Sequence, residues 1–285
     1  GIQMASPGDT VQVRAGTYVG TWLDYGEGAP GAYITINSYD GLLQAKINSQ
    51  ITFQTRHYFK IIGFEVYGAT NPVSIYGVSP YTDPSLRAQY VYVQQCYVHN
   101  AVGGDSIKVA QSDYVFIEDC EVSYDEDQLI DFVWVEYSAV RRCYLHDFSL
   151  GFYNKGGSKY NILERNVISN GIGEYASATG YGGSTNSAYR DPNSDYSSEY
   201  TVFRNNIMRA AQGATYTSEC WYAYFYNNTV HNCFKSGGRP MVRHYVQKPS
   251  QGDGGARHFF IFNNVFLETD GNMGTYCYDQ SGLPY

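Results

Sequence analysis

Basic residues are scarce in this chain: 19 Lys and Arg stand against 27 Asp and Glu, for a formal net charge of −8. No nucleic-acid partner is expected, because phosphate binding needs clustered cations. No apolar run approaches the roughly 20 residues that span a bilayer, so no membrane insertion is expected. No leader opens the chain, as in a mature secreted or cell-surface protein or in a truncated one. The six Cys have spacings that fit no zinc pattern. Tyr and Gly are abundant instead, at 30 each.

The chain repeats one eleven-residue phrase. It reads "YFKIIGFEVYG" from Tyr58, "YVYVQQCYVHN" from Tyr90, "YVFIEDCEVSY" from Tyr114 and "YSAVRRCYLHD" from Tyr137. It continues as "YNILERNVISN" from Tyr160, "YTVFRNNIMRA" from Tyr200, "YAYFYNNTVHN" from Tyr222 and "HFFIFNNVFLE" from His258. The intervals are 32, 24, 23, 23, 40, 22 and 36 residues, a unit of roughly 22 to 24 residues with insertions, as in a solenoid. The fourth and ninth positions are always apolar, and the alternation is rich in β-branched and aromatic residues, which predicts short strands rather than helices.

The seventh position holds Phe64, Cys96, Cys120, Cys143, Asn166, Asn206, Asn228 and Asn264. Alternation breaks there, and Asn tolerates the left-handed backbone of a tight bend, so the bend is expected at that residue. With coils stacked about 4.8 Å apart, the Asn amides can bond along the axis as an internal ladder. The three stacked Cys are expected to be free, buried thiols. Glu118, Arg141, Glu164 and Arg204 at the fifth position predict salt bridges between coils, as do Asp119 and Arg142 at the sixth. The Tyr column predicts aromatic stacking at a corner. His99, His146 and His231 at the tenth position are expected to face solvent.

This pattern resembles the right-handed parallel β-helix, the fold of pectate lyases and other polysaccharide-active proteins. The opening "SPGDTVQVRAGTY" is similar to first coils of such proteins, which follow a capping helix. The expectation is an all-β solenoid with a single domain over residues 1–285, as a fragment lacking its N-terminal cap.

Stacking leaves a polar stripe in the strands before each Tyr unexplained: Lys108, Asp131, and Asn154 beside Lys155. An acidic loop, "YDEDQLID", feeds it with Asp125, Glu126, Asp127 and Asp131. The string "KGGSKYNILERNVI", with Arg190 on a later loop, resembles the chondroitinase B and alginate lyase type of polysaccharide lyase. The resemblance implies β-elimination on an acidic polysaccharide, with Lys155 as base and Ca²⁺ neutralising the uronate. The family's Arg one coil later has no counterpart, and Arg190 is the nearest substitute. Asp125, Asp127 and Asp131 could supply oxygens to Ca²⁺, and the loop also reads as solvated and metal-free. Tyr153, Arg243 and His244 are candidate substrate contacts.

Two other classes stay open. A non-catalytic glycan-binding or structural β-helix, such as an adhesin or tailspike-like rod, fits the Tyr content and the missing Arg. A glycoside hydrolase would use Asp131 with a partner such as Asp105. Neither the Gly-His-Gly nor the Arg-x-Lys string of polygalacturonases is present. The oligomeric state is not legible.

Overall fold

The computed structural model describes residues 2–20, 22–23, 26–78, 83–180, 191, 194, 196–233, 241–245 and 256–267. Its 27 strands form one continuous hydrogen-bonded system, and every pairing between named strands is parallel and joins a strand to its equivalent one coil on. The first ladder starts at Thr10–Val13, passes through His57–Ile62 and Ala88–Gln94, and ends at Arg257–Phe262. A second ladder runs through Glu65–Tyr67, Tyr97–His99 and Ile207–Arg209 to Val265–Leu267. A third runs through Ile51–Gln54 and Val73–Tyr76 to Val242–Tyr245. Between them, Ile107–Glu118, Glu121–Glu136 and Tyr144–Lys155 are long strands that turn a corner and so take part in two ladders each. Equivalent positions of successive phrases are register partners, for example Val91↔Val115 and Val202↔Tyr224.

The alternation fixes the core. Fourth-position Ile61, Val93, Ile117, Val140, Leu163, Phe203 and Phe225 are buried, as are ninth-position Val66, Val98, Val122, Leu145, Ile168, Met208 and Val230. Each column is apolar because a parallel coil has an inside face that no water reaches.

The seventh-position column behaves as a ladder. Asn166 Nδ2 donates to Asn206 Oδ1 at 3.0 Å, Asn206 Nδ2 to Asn228 Oδ1 at 3.0 Å, and Asn228 Nδ2 to Asn264 Oδ1 at 3.1 Å. The backbone N–H of each of these donors bonds the same oxygen. Cys143 N donates to Asn166 Oδ1 at 2.8 Å, which joins the Asn run to the Cys run. Cys96, Cys120 and Cys143 are free and buried. Their thiols donate to the carbonyls two residues back.

The bend differs from the expectation by one residue. Positive φ falls on the sixth position, at Gln95, Asp119, Arg142, Arg165, Asn205, Asn227 and Asn263, and on the first, from Tyr58 to His258. A left-handed residue just before the Asn is what turns the Asn side chain inward. A non-Gly residue there costs roughly 1–2 kcal/mol, offset at the first position by ring stacking. Successive rings from Tyr58 to His258 stack at 4.6 to 5.3 Å and within 13° of parallel. The salt bridges form as pairs: Arg141 with Glu118, Arg142 with Asp119 at 2.7 Å and Arg204 with Glu164 at 2.8 Å. His146 does not face solvent. It is buried between Glu121 at 3.1 Å and Asp147 at 2.7 Å, with Tyr144 stacked on its ring, because two neighbouring carboxylates hold the imidazole down. No helix among the described residues is long and apolar enough to cross a membrane.

Candidate functional site

The third ladder carries one outward column along the axis. Register links Thr52, Ser74, Lys108, Asp131, Tyr153, Ala178, Tyr216 and Arg243 in successive coils. Residues one step on in each strand point inward, by the period-two rule. Asn154 is therefore not on the outer stripe: it is fully buried and donates to Thr201 Oγ1 at 2.8 Å. Lys155 is outward again, in the column of Ala110 and Val133, and leans back over its neighbours.

Four charged side chains meet there. Lys155 Nζ lies 3.2 Å from Asp131 Oδ1. Asp131 Oδ2 accepts from Lys108 Nζ, which is also 3.0 Å from Asp105 Oδ2. Lys155 further sits over the Tyr153 ring, 4.1 Å from its centroid, and donates to Gln128 Oε1 at 3.4 Å. Asp131 is fully buried, and Lys108 is the opening to solvent, with 30% of its side chain exposed. Sequence reasoning placed Lys108 on the polar stripe and named Asp105 only as a hydrolase partner of Asp131; the structure brings both to the Lys155–Asp131 pair. The signal was present in "GGDSIKV", where Asp105 stands three residues before Lys108, the register partner of Asp131.

Burial, and then the nearby Asp131 charge, hold the Asp105 carboxyl at about 7 against the pull of Lys108. Lys108 moves the other way. Burial alone would lower it, but Asp131 and Asp105 outweigh that and raise it. Asp127, at the rim, is raised by desolvation and by Asp131, with Lys155 and Lys108 opposing.

The "KGG" turn sets Lys155. The strand Tyr144–Lys155 ends there, and Gly156 and Gly157 follow with φ of 70° and 87°, a backbone that L side chains rarely adopt. Ser158 Oγ donates to the Lys155 carbonyl at 2.7 Å, and Gly157 N donates to Ser197 O at 2.7 Å, which ties the turn to the next coil. A Cβ on Gly157 would lie 2.6 Å from Asp191 Cβ.

The acidic residues do not fit a Ca²⁺ cage. Both Asp131 oxygens face ammonium groups. Asp125 Oδ2 accepts from Ser106 Oγ at 2.8 Å, and its Oδ1 accepts from Asp127 N at 3.0 Å. Among the described residues, no three His, Cys, Asp or Glu side chains converge to hold a metal. Ca²⁺ prefers six to eight oxygens free of competing cations.

The remaining expected contacts separate. Arg243 is on the outward column, three register steps from Tyr153, with its guanidinium 5.7 Å from the Tyr216 ring centroid. At about 4.8 Å per coil that is roughly 14 Å from Tyr153. His244 registers with inward Thr217, bonds its hydroxyl at 2.8 Å and stacks on Phe259. Arg190 lies outside the described residues.

No protein of curated function matches the chain in sequence. Among solved structures, an alginate lyase from Paenibacillus sp. str. FPU-7 is 13% identical with a TM-score of 0.56, over 94% of this chain and 93% of that one. Pectate lyase Pel9A is 12% identical with a TM-score of 0.54, over 100% and 74%. The family 28 exopolygalacturonase of Yersinia enterocolitica is 12% identical with a TM-score of 0.55, over 96% and 62%. At these identities the likeness is one of fold. Residues 85–241 match the family described as right handed beta helix region, which is more than half of a chain whose described strands already coil in parallel, and the protein belongs to that right-handed β-helix family.

Proposed function

We propose that this protein is a polysaccharide lyase that cleaves an acidic, uronate-containing glycan by β-elimination, outside the cell, with Lys155 as the base. The observation that carries this reading is Lys155 itself, a buried ammonium on an outward turn, 3.2 Å from Asp131 and 4.1 Å above the Tyr153 ring. The column it leans on continues to Tyr216 and Arg243. The C5 proton of a 4-linked uronate is weakly acidic until its carboxylate is neutralised, and Lys108 and Arg243 supply positive charge along the column. The partly exposed Tyr216 ring offers apolar surface to sugar C–H groups. Lys155 serves as a base only after it gives up its own proton. Polysaccharide substrates named for the solved relatives, alginate lyase and pectate lyase among them, agree with a glycan partner.

Asp105 favours one second reading. A carboxyl held at about 7, sharing the Lys108 ammonium with Asp131, is suited to acid–base hydrolysis. One experiment separates the readings. The protein is incubated with alginate, pectate and chondroitin chains, and both unsaturated-uronate absorbance and new reducing ends are followed. The lyase reading expects both signals in the wild type and neither in Lys155→Ala. Reducing ends without the chromophore mean hydrolysis, and binding without cleavage means a glycan-binding rod.

A further inference from the structure

We propose that the protein forms an antiparallel dimer of rods, in which the outer face of the first ladder docks on the same face of a second copy, about a two-fold axis between the coils of Tyr137 and Tyr160. The inference does not depend on the lyase reading. In the first ladder the third position of each phrase points outward, one step from the inward second and fourth. A sheet face turned to water is expected to be polar there. Register instead links Tyr92, Phe116, Ala139, Ile162, Val202 and Tyr224 in one apolar column. The column ends on Phe260, which is 40% exposed, and Phe262 beside it is 47% exposed. Tyr92 stacks on Phe116 at 4.9 Å and Tyr224 on Phe260 at 5.1 Å, so the apolar surface is continuous within each end. Contiguous apolar surface of this kind marks contact with another molecule.

The fifth position, two residues on, identifies that molecule by its charge. Successive coils carry Glu118, Arg141, Glu164 and Arg204 in register. An antiparallel two-fold reverses the order of the coils and keeps the position within each phrase. Centred between Arg141 and Glu164, it sets Arg141 against Glu164 of the second copy and Glu118 against its Arg204, with both contacts repeated by symmetry. A slip of one coil sets like charges opposite, Arg141 on Arg141 or Glu164 on Glu164, so the row is self-complementary in one register. Glu118 and Glu164 are buried and the two arginines half-buried. Each arginine, already paired within its own chain, therefore bridges to a carboxylate of the second copy.

The same operation suits the shapes. It lays the small Ala139 against Ile162, and it covers Phe260 and Phe262 with Lys60 and Ile62, the first-phrase members of the same two columns. A cation over an aromatic ring is a favourable contact, and Lys60 already sits 5.4 Å from the Tyr92 centroid. Eight coils and five residues of strand span roughly 34 Å by 16 Å. That is about 1,100 Å² over both partners, above the roughly 1,000 Å² that a specific interface needs. One rim contact opposes docking, since exposed Arg142 meets exposed Arg165. Lys155 belongs to the third ladder, so the two glycan columns stay open and run in opposite directions.

Three measurements test the proposal. Sedimentation equilibrium between about 1 and 100 µM is expected to show a dimer of two 32.0 kDa chains; a monomer throughout, or a larger assembly, overturns it. Ile162→Lys puts a charge on an outward side chain at the centre of the contact and should weaken the dimer about 30-fold or more with an unchanged circular dichroism spectrum. Arg165→Glu replaces the rim repulsion by attraction and should tighten the dimer about threefold or more. Wild-type association in folded Ile162→Lys, or weaker association in Arg165→Glu, overturns the proposal. The third measurement keeps the contact intact. A nitroxide is carried at exposed Gln95 or, separately, at Arg165, and pulsed EPR reads the distance between the two copies. The two-fold axis places the Arg165 labels roughly 5 Å apart along the rods and the Gln95 labels roughly 24 Å apart. Equal separations at the two positions overturn the antiparallel arrangement, and this arm decides the case even where Ile162→Lys fails to fold.

Discussion

Replacing Asn206 with Ala tests whether the inner ladder stabilises the rod. Asn206 is 1% exposed, its Oδ1 accepts from both Asn166 N and Asn166 Nδ2 at 3.0 Å, and its Nδ2 donates to Leu163 O at 2.9 Å and to Asn228 Oδ1 at 3.0 Å. The Ala variant deprives a buried N–H and a buried carbonyl of these partners. Each loss costs about 1–3 kcal/mol, because no water replaces the bond, so the expected destabilisation is about 2–5 kcal/mol. Asn264 gives the internal control. Its Oδ1 serves Asn228 in the same way, at 2.9 and 3.1 Å, but it is only half-buried, so Asn264→Ala is expected to cost about 1 kcal/mol. Urea unfolding followed by circular dichroism measures both, with the slope checked for constancy because solenoids can unfold in parts. A loss under about 1 kcal/mol at Asn206, or equal losses at the two sites, refutes the argument that burial sets the worth of each rung.

Three further outcomes are expected. Asp105 binds its proton more tightly when folded, at about 7 against an ordinary 3.8, so wild-type stability falls as pH rises from about 4 to 7 and Asp105→Asn escapes that fall. Its gain over wild type should grow by at most about 3 kcal/mol between pH 5 and 8, and a pH-independent difference in urea midpoints contradicts the burial argument. Gly157→Ala, with φ of 87° and a Cβ 2.6 Å from Asp191 Cβ, should cost about 1–3 kcal/mol and lower cleavage by displacing Lys155; thermal unfolding alongside the glycan assay checks both. Chelation with EDTA should leave cleavage unchanged, because the oxygens of Asp131 already face ammonium groups; a rate lost on chelation and restored by Ca²⁺ contradicts this.

The architecture was legible because a coil repeats its environment. Once Val93, Ile117 and Val140 share a slot, one inward residue predicts the rest, and burial agrees at each of them. The bend was placed one residue late because the repeated Asn was taken to be the left-handed residue. Its side chain is instead the ladder rung, and the residue before it, whatever its type, carries the positive φ. At the site, the meeting of Lys155 and Asp131 was legible from register, whereas Asn154 was misassigned by one step of alternation and so ended inside. The role of Lys108 as a bridge between Asp131 and Asp105 was not legible, since it depends on how far a flexible side chain reaches. His244 fell inward for the same alternation reason as Asn154.

The claim that the outward column is the glycan track is tested most directly by steady-state cleavage of uronate oligomers of graded length with wild type, Lys155→Ala and Arg243→Ala. With Arg243 roughly 14 Å along the axis from Tyr153, Arg243→Ala should raise KM on long oligomers and leave the shortest cleavable one unaffected, while Lys155→Ala loses turnover on all of them. Equal effects of Arg243→Ala at every length, or full turnover by Lys155→Ala, would contradict the account.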